Sequence, residues 1–554
     1  MTSPRTVVIV GGVAGGMSAA TRLRRNDEAA HIIVLERGEH VSFANCGLPY
    51  YVGGVIESRD ELLLQTPEAL AARFAIDVRI RHEAQSIDTG ARAVTVHDLD
   101  SDARETLQYD ALVLAPGASP FVPDIPGIER ALTLRDVADV DAMAAAVASR
   151  PRSAVILGGG FIGLEVAENL VARGIDVTIV ELADQILAPL DPEIAYVVAE
   201  HLIDHGVHVR TGVSAVSIDH DTVTLSTGEL LDAGLVIAAI GVRPESSLAS
   251  DAGLRVGARG GIVVDEHQRT SDPDIYAVGD AAEKIDAIDG SSTLVPLAQT
   301  ANRHGRLVAD VICGRNVSSP PVLGTAVVGV FGLTVATTGW NEKRLRAARR
   351  SHHVIHTHPN NHAGYYPGAE AMSLKLLIDA GTYEILGAQG VGGAGVDKRI
   401  DIIATAIQGG LPAPELANLE LAYAPQFGSA KDPINMLGFI ADNVSAGVIR
   451  TVQWHELDTA LAAGATLIDV RDPDEFAAGA IPDAINIPVD ELRARLSELP
   501  IGPIIVHCEV GVRANVASRL LAHHGKDVSA LDGSYRTWRA GIASQATVPT
   551  TISA

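Results

Sequence analysis

One unit occurs twice in this chain and constrains its fold more than any other feature: an apolar run, a glycine-rich turn, a helical stretch, and a second apolar run closed by an acid. The first copy is Val7-Val8-Ile9-Val10, then Gly11-Gly12-Val13-Ala14-Gly15-Gly16, a helical continuation from Met17, and Ile32-Ile33-Val34-Leu35 ending at Glu36. The second is Ala154-Val155-Ile156-Leu157, then Gly158-Gly159-Gly160-Phe161-Ile162-Gly163, a helix, and Val177-Thr178-Ile179-Val180 ending at Glu181. Strand, glycine turn, helix and strand form the opening βαβ of a dinucleotide-binding fold. Backbone N–H groups and the helix dipole there meet a pyrophosphate, and the terminal acid bonds ribose hydroxyls. Two such units predict two nucleotide sites. The second keeps all three glycines, Gly158, Gly160 and Gly163; the first keeps Gly11 and Gly16 but has Val13 in the middle position. Taken alone, the first is also what a tight strand-to-helix connection looks like. Glu181 would repel a 2′-phosphate, so NADH is favoured and NADPH is the alternative.

Between the copies, Tyr109 to Ala118 reads as a strand ending in the tight turn Ala115-Pro116-Gly117, a crossover from one nucleotide domain to the other. A chain of 554 residues is too long for one core, so three or four domains are expected. The formal net charge of −25 argues against nucleic acid or an anionic membrane as partner. Three distant cysteines, Cys46, Cys313 and Cys508, do not make a disulfide framework, and a reducing cytoplasm is expected. The N-terminus reaches its first strand without a cleavable leader pattern, and no apolar run approaches a membrane span. Cys313, in Val311-Ile312-Cys313-Gly314-Arg315, reads as a core residue.

Cys46 lies in Ser42-Phe43-Ala44-Asn45-Cys46-Gly47-Leu48-Pro49-Tyr50-Tyr51-Val52-Gly53-Gly54, among glycines, a proline and polar residues rather than in an apolar periodic run. A dithiol of spacing C-x-x-x-x-C would need a second cysteine where Tyr51 stands, so no resolving cysteine is adjacent. Such a sulfur cycles through a mixed disulfide with a small thiol, or through a sulfenic acid if peroxide or oxygen is the oxidant. Near the C-terminus, Leu467-Ile468-Asp469-Val470-Arg471 and Val506-His507-Cys508-Glu509-Val510-Gly511-Val512-Arg513 deliver a second cysteine from a strand into a loop. Successive N–H groups of such a loop stabilise a thiolate or persulfide, with Arg513 adding positive charge.

These stretches carry resemblances. Thr270 to Asp280 resembles the second flavin-contacting motif of the two-dinucleotide-domain flavoproteins, which assigns the first glycine turn to FAD and the second to the nicotinamide. Ser42 to Gly54 closely resembles the coenzyme A-disulfide reductases, whose lone cysteine pairs with coenzyme A. Leu467 to Pro488 and the Cys508 loop resemble the rhodanese sulfurtransferases. The fold class implied is α/β: two Rossmann-like dinucleotide-binding domains, an α+β dimerisation domain and a C-terminal α/β rhodanese domain. Expected boundaries are 1-117 and 246-325 for the FAD domain, 118-245 for the NAD(P)H domain, 326-443 for dimerisation, 444-450 as linker and 451-554 for rhodanese.

The resemblance implies an FAD-dependent NAD(P)H reductase of coenzyme A disulfide, coenzyme A persulfide or polysulfide. Cofactors would be FAD and NADH, with coenzyme A as substrate thiol and no metal. Cys46, Cys508 and Arg513 would be catalytic, with Tyr365 and Tyr423 reaching from a partner subunit of a homodimer. Tyr366 is an alternative to Tyr365, and an ordinary interface core is the alternative for both. Gly11, Gly12, Gly16, Glu36, Ala115, Gly117, Gly279 and Asp280 would hold FAD, and Gly158, Gly160, Gly163 and Glu181 the nicotinamide. Phe161 would gate the nicotinamide or pack under the turn. Arg22, Ser42 and Asn45 would contact coenzyme A. Glu509 stands where many rhodaneses carry Arg, which argues against thiosulfate as donor. The rival readings are an NADH oxidase or peroxidase working through a sulfenate, and a redox-sensing flavoprotein.

Overall fold

A computed structural model describes residues 4–546, so residues 1–3 and 547–554 of the expected first and last domains lie outside the described residues. Contacts divide the chain into two units, Met1–Val180 with Ser214–Gly324, and Glu181–Val213 with Thr325–Ala554.

In the first unit the strand Thr6–Val10 sits mid-sheet, in the order Ile275–Ala277, Ala111–Leu114, Thr6–Val10, His31–Glu36, Asp77–Ile80. All neighbours are parallel. A parallel sheet covered on both faces needs apolar residues on both, which is why these strands read as continuous runs. Val7 and Ile9 enter one core with Leu23 and Val308, from the helices Ala14–Asn26 and Ala298–Ile312, while Val8 enters another with Leu112 and Ile275. From Thr6–Val10 the chain crosses to His31–Glu36 on one side and later fills the other side with Ala111–Leu114. The C-terminal end of Thr6–Val10 is therefore the switch point where such folds bind ligands.

A second parallel sheet joins Asp176–Glu181, Ser153–Leu157 and Leu235–Ala238. After the expected crossover strand, Ala118–Pro120 pairs antiparallel with Val242–Pro244, so the two chain passages form a two-stranded link.

The second unit contains an antiparallel sheet in the order Ala326–Val330, Leu333–Gly339, Ile385–Gly392, Met372–Asp379, His352–Thr357. The helices Val396–Gln408 and Pro433–Ser445 place Ile400, Ile403 and Leu437 in the core with its Leu374 and Leu376. A parallel sheet of Thr451–Val452, Val528–Leu531, Ile504–His507, Thr466–Asp469 and Ile485–Asn486 forms the C-terminal α/β domain. Residues Glu181–Val213 join this unit through buried polar contacts. Gln389 accepts the Asp191 N–H at 2.7 Å and donates to its carboxylate at 2.7 Å, and Asn341 donates to the Pro189 carbonyl at 3.0 Å. The fold class is the expected one. Among the described residues, no helix is long and apolar enough to cross a membrane.

Candidate active sites

The first glycine turn follows Thr6–Val10. A Cβ on Gly16 would lie 1.9 Å from the Gly11 carbonyl oxygen, so only glycine lets the helix Ala14–Asn26 start this close to the strand. Glu36 ends the next strand, and its carboxylate accepts the N–H groups of Gly12 at 2.9 Å and Gly38 at 2.8 Å. Ala115 is tied to Val10 by a 2.7 Å backbone hydrogen bond, Gly117 turns the chain with φ +77°, and Gly279 with φ +75°. Asp280, next along, is half-buried and accepts no hydrogen bond among the described residues. Burial pushes its carboxyl up, partly opposed by Lys284 and Arg135. Burial likewise pulls the Lys284 ammonium down to about 8, while it donates to the Gly279 and Ala282 carbonyls. A glycine turn at the switch point, an acid at the end of the second strand and a half-buried acceptor at Asp280 fit a flavin dinucleotide with a hydroxylated chain.

At the second turn, a Cβ on Gly163 would lie 2.1 Å from the Gly158 carbonyl oxygen, whereas one on Gly160 would meet nothing within 4 Å. The turn is closed at its base and open at the position over which a pyrophosphate would lie, which fits a second dinucleotide. Phe161, half-buried, begins the helix Phe161–Val171, and Glu181 ends the strand Asp176–Glu181.

The Cys46 segment is tied by local structure to the first turn and to the helix that follows the second. The Ser42 N–H donates to the Gly12 carbonyl at 2.8 Å, anchoring the segment to the first turn. Asn45–Gly47 makes one tight helical turn, and Leu48–Gly53 continues as a helix with Pro49 in its first turn. That helix packs on Phe161–Val171: a Cβ on Gly53 would strike Asn169 at 1.8 Å, and Arg173 Nε donates to the Val52 carbonyl at 3.1 Å. The Tyr50 hydroxyl donates to Glu165 Oε1 at 3.1 Å. The Cys46 thiol is exposed to approach, and it is pushed up first by desolvation and then by the charges of Glu165 and Asp280. Burial also raises the Glu165 carboxyl, and burial with Glu165 pushes the Tyr50 phenol up to about 12.

Of the residues expected at coenzyme A, Ser42 and Asn45 flank Cys46 in this segment, and the Asn45 amide reaches the Arg135 carbonyl at 3.5 Å. Arg22 instead makes a two-pronged ion pair with Asp310 at 2.8 and 3.2 Å. Cys313, expected in the core, is only half-buried, because it caps the exposed end of Ala298–Ile312.

In the second unit the Tyr365 and Tyr423 hydroxyls meet at 3.0 Å, both rings exposed, at 77% and 50%. The Ala363 N–H joins their loops through the Gly428 carbonyl at 3.0 Å. Tyr366 turns away to stack edge-on against His362, so Tyr365 is the residue brought to Tyr423.

Cys508 follows the strand Ile504–His507 and is buried, with 1% of its surface exposed. Gly511, at φ +101°, aims its N–H at Cys508 Sγ at 3.1 Å. The Cys508 N–H donates to Ser534 Oγ at 3.3 Å, and that oxygen lies 3.9 Å from Sγ. Arg513 acts on Cys508 through charge alone, as expected of it, and its hydrogen bonds go elsewhere. Its guanidinium grips Glu475 at 2.6 and 2.7 Å and forms no hydrogen bond to the sulfur, so its charge is largely cancelled where it stands. Arg471, buried under the Tyr535 ring at 4.2 Å, is similarly held by Asp469 at 2.7 Å and Glu509 at 3.2 Å. Asp191, Glu193 and Glu342 form a carboxylate cluster of metal-binding shape, but the Lys375 ammonium lies among them at 2.6 to 3.0 Å, where a cation would stand.

With this geometry in place, comparison with known proteins decides the lineage. A profile for pyridine nucleotide-disulphide oxidoreductases matches residues 5–305, and one for the dimerisation domain of the same enzymes matches 325–432. The chain belongs to the pyridine nucleotide-disulphide oxidoreductase family. In this oxidoreductase a rhodanese-like domain also matches, over residues 453–541. Coenzyme A disulfide reductase of Staphylococcus haemolyticus is 32% identical over 439 residues, 79% of this chain and 99% of that protein. The crystal structure of reduced CoADR-RHD from Bacillus anthracis superposes with a TM-score of 0.96 at 47% identity, covering 98% of each chain. A NAD-dependent persulfide reductase from A. fulgidus superposes at 0.90 with 37% identity, covering 96% of this chain and 100% of that one.

Several site residues of this oxidoreductase escape sequence reasoning. Tyr50 and Glu165 meet only because two helices pack, and no spacing connects positions 115 residues apart. Arg471 stands in the Asp-Val-Arg run that carries the rhodanese resemblance, a usable signal. Ser534 has none.

Proposed function

We propose that this oxidoreductase takes electrons from NADH and reduces coenzyme A disulfide or coenzyme A persulfide at Cys46, and that Cys508 supplies sulfane sulfur to that reaction. The observation that carries the reading is an exposed Cys46 with no resolving cysteine, within electrostatic reach of Glu165 on the helix that follows the second glycine turn. When bound, FAD would supply the two-electron relay between a nicotinamide hydride and sulfur. Gly11, Gly12, Gly16, Glu36, Ala115, Gly117, Gly279 and Asp280 would hold it, and Gly158, Gly160, Gly163 and Glu181 would hold the nicotinamide.

The Cys46 thiolate attacks the coenzyme A-bearing sulfur of the persulfide. A Cys46–coenzyme A disulfide forms and the terminal sulfur leaves as hydrosulfide. Two electrons and a proton then regenerate the thiolate and release coenzyme A thiol. Coenzyme A disulfide follows the same course, with coenzyme A thiolate as leaving group. Ser42 and Asn45, both just before Cys46, contact coenzyme A in this reading, and Arg22 contributes only if it leaves Asp310. The charges of Glu165 and Asp280 oppose the thiolate, so protonation of Glu165 would ease its formation. Cys508 takes a sulfane sulfur as a persulfide, stabilised by the Gly511 N–H, and passes it to coenzyme A. The working form is a cytoplasmic homodimer in which Tyr365 and Tyr423 of one subunit complete the Cys46 site of the other.

The test uses two variants. Cys46→Ser should abolish NADH-driven reduction of coenzyme A disulfide while flavin stays bound; loss of flavin, or retained turnover, counts against the assignment. Cys508→Ala should spare that reaction and impair turnover that begins from a sulfur donor. Equal loss on both substrates would end the idea of two sites in series.

A further inference from the structure

The turn that brings Ser534 to Cys508 is anchored from outside its own domain. Asp532 follows the strand Val528–Leu531, and its carboxylate accepts the His356 backbone N–H at 3.0 and 3.2 Å and the ring Nδ1–H at 2.7 Å. His356 lies on the strand His352–Thr357 of the antiparallel sheet. Its Nε2–H donates to Glu193 Oε1 at 3.0 Å, and the same oxygen accepts Lys375 Nζ at 2.6 Å. Lys375 reaches on to Glu342 at 2.6 Å and Asp191 at 3.0 Å. Every side chain in this row is buried. A buried ionic row is weak evidence for stability, because desolvation offsets the attraction, so its presence invites another role.

The row ends two residues from Ser534. Gly533 and Ser534 are both left-handed, at φ +61° and +56°, and Ser534 is fully buried. A left-handed residue with a Cβ is strained and persists only where its surroundings fix it. Thr537 and the Tyr535 N–H bond to the Cys508 carbonyl supply part of that surrounding from within the domain, and His356 supplies the part from outside it. It clamps Asp532 with its backbone and its ring, and its Cβ would lie 2.8 Å from a Cβ on Gly533.

We propose that His356 and Asp532 are positioning residues for sulfur transfer, holding the turn so that the Ser534 hydroxyl bears on Cys508. The inference rests on the reading that Cys508 carries sulfur. As the sulfur gains charge, the hydroxyl can turn from the Leu531 carbonyl, 3.4 Å away, toward Sγ and stabilise the anion. The groups facing His356 are Asp532, Glu193 and Lys375, with His358 just past the end of its strand. Burial alone would lower the imidazole, but its hydrogen bonds to Asp532 and Glu193 prevail and hold it up to about 9. His358 is pushed down to about 3 by burial and the charge of Arg536, and stays neutral.

The test is the peptide-resolved rate of Cys508 alkylation by iodoacetamide in the full chain, followed against pH. Asp532→Asn, His356→Gln and Ser534→Ala should each move the alkaline rise of the profile upward by about one unit, roughly tenfold in rate at pH 7. NADH-driven reduction of coenzyme A disulfide should be unchanged. Profiles that superimpose on the parent overturn the proposal. Should the two charge variants misfold, Ser534→Ala, a small change, decides alone. Failure of the parent to load sulfur on Cys508 would overturn the proposed function and leave the alkylation result to stand by itself.

Discussion

At the scale of single residues, the two reactive cysteines sit in opposite surroundings. Cys46 is open, and the acids near it oppose its ionised form; Cys508 is enclosed and receives a backbone N–H. Glu181 should decide between nicotinamides. Its removal relieves a repulsion of about 1–2 kcal/mol, so Glu181→Ala should shift the NADH to NADPH ratio of kcat/KM roughly tenfold toward NADPH. An unchanged ratio would mean that Glu181 does not read the ribose. His356 makes a prediction about stability. Its native pKa is raised, so its contribution is complete below its ordinary value of about 6.5 and is lost as pH rises through about 9. Thermal unfolding of the parent should fall between pH 7 and 10 more steeply than that of His356→Gln, and parallel curves would refute this.

At the scale of elements, the βαβ units were legible because glycines, apolar runs and terminal acids lie within about thirty residues of one another, where local rules govern. Gly160 and Gly163 sharpen the distinction between closed and open parts of a turn. Gly163→Ala should damage the fold, since its Cβ would strike the Gly158 carbonyl. Gly160→Ala should keep flavin content and Tm while raising KM for NADH severalfold, because its Cβ enters only open space. Equal loss of Tm in both variants would refute the contrast. The element that sequence could not supply is the buried row from Lys375 to Asp532. Its members come from five segments at positions 191–193, 342, 356, 375 and 532, with no periodicity or motif joining them. The hydrogen-bond partner of Arg513 was illegible for a related reason. Cys508 and Arg513 share a loop in sequence, but Glu475, 38 residues earlier, claims the guanidinium. Tyr365 could be chosen over Tyr366 only once the loops were folded together by Ala363 and Gly428.

At the scale of the molecule, a shared site predicts complementation. Cys46→Ser and Tyr423→Phe proteins, each impaired alone, should regain part of their activity when mixed under subunit exchange, since some heterodimers carry one intact site. Proven exchange without recovery would exclude sharing. The pairing of Arg513 with Glu475 and of Arg471 with Asp469 and Glu509 also governs how donors arrive. With Arg513 and Arg471 both matched by acids, these two guanidiniums give the Cys508 loop little net positive charge to gather anions, and a chain of net charge −25 repels them at a distance. Ionic strength should therefore act in an unusual direction. Where an enzyme steered by basic residues slows as salt is added, loading of Cys508 from an anionic polysulfide should quicken as screening shortens to about 8 Å near physiological strength.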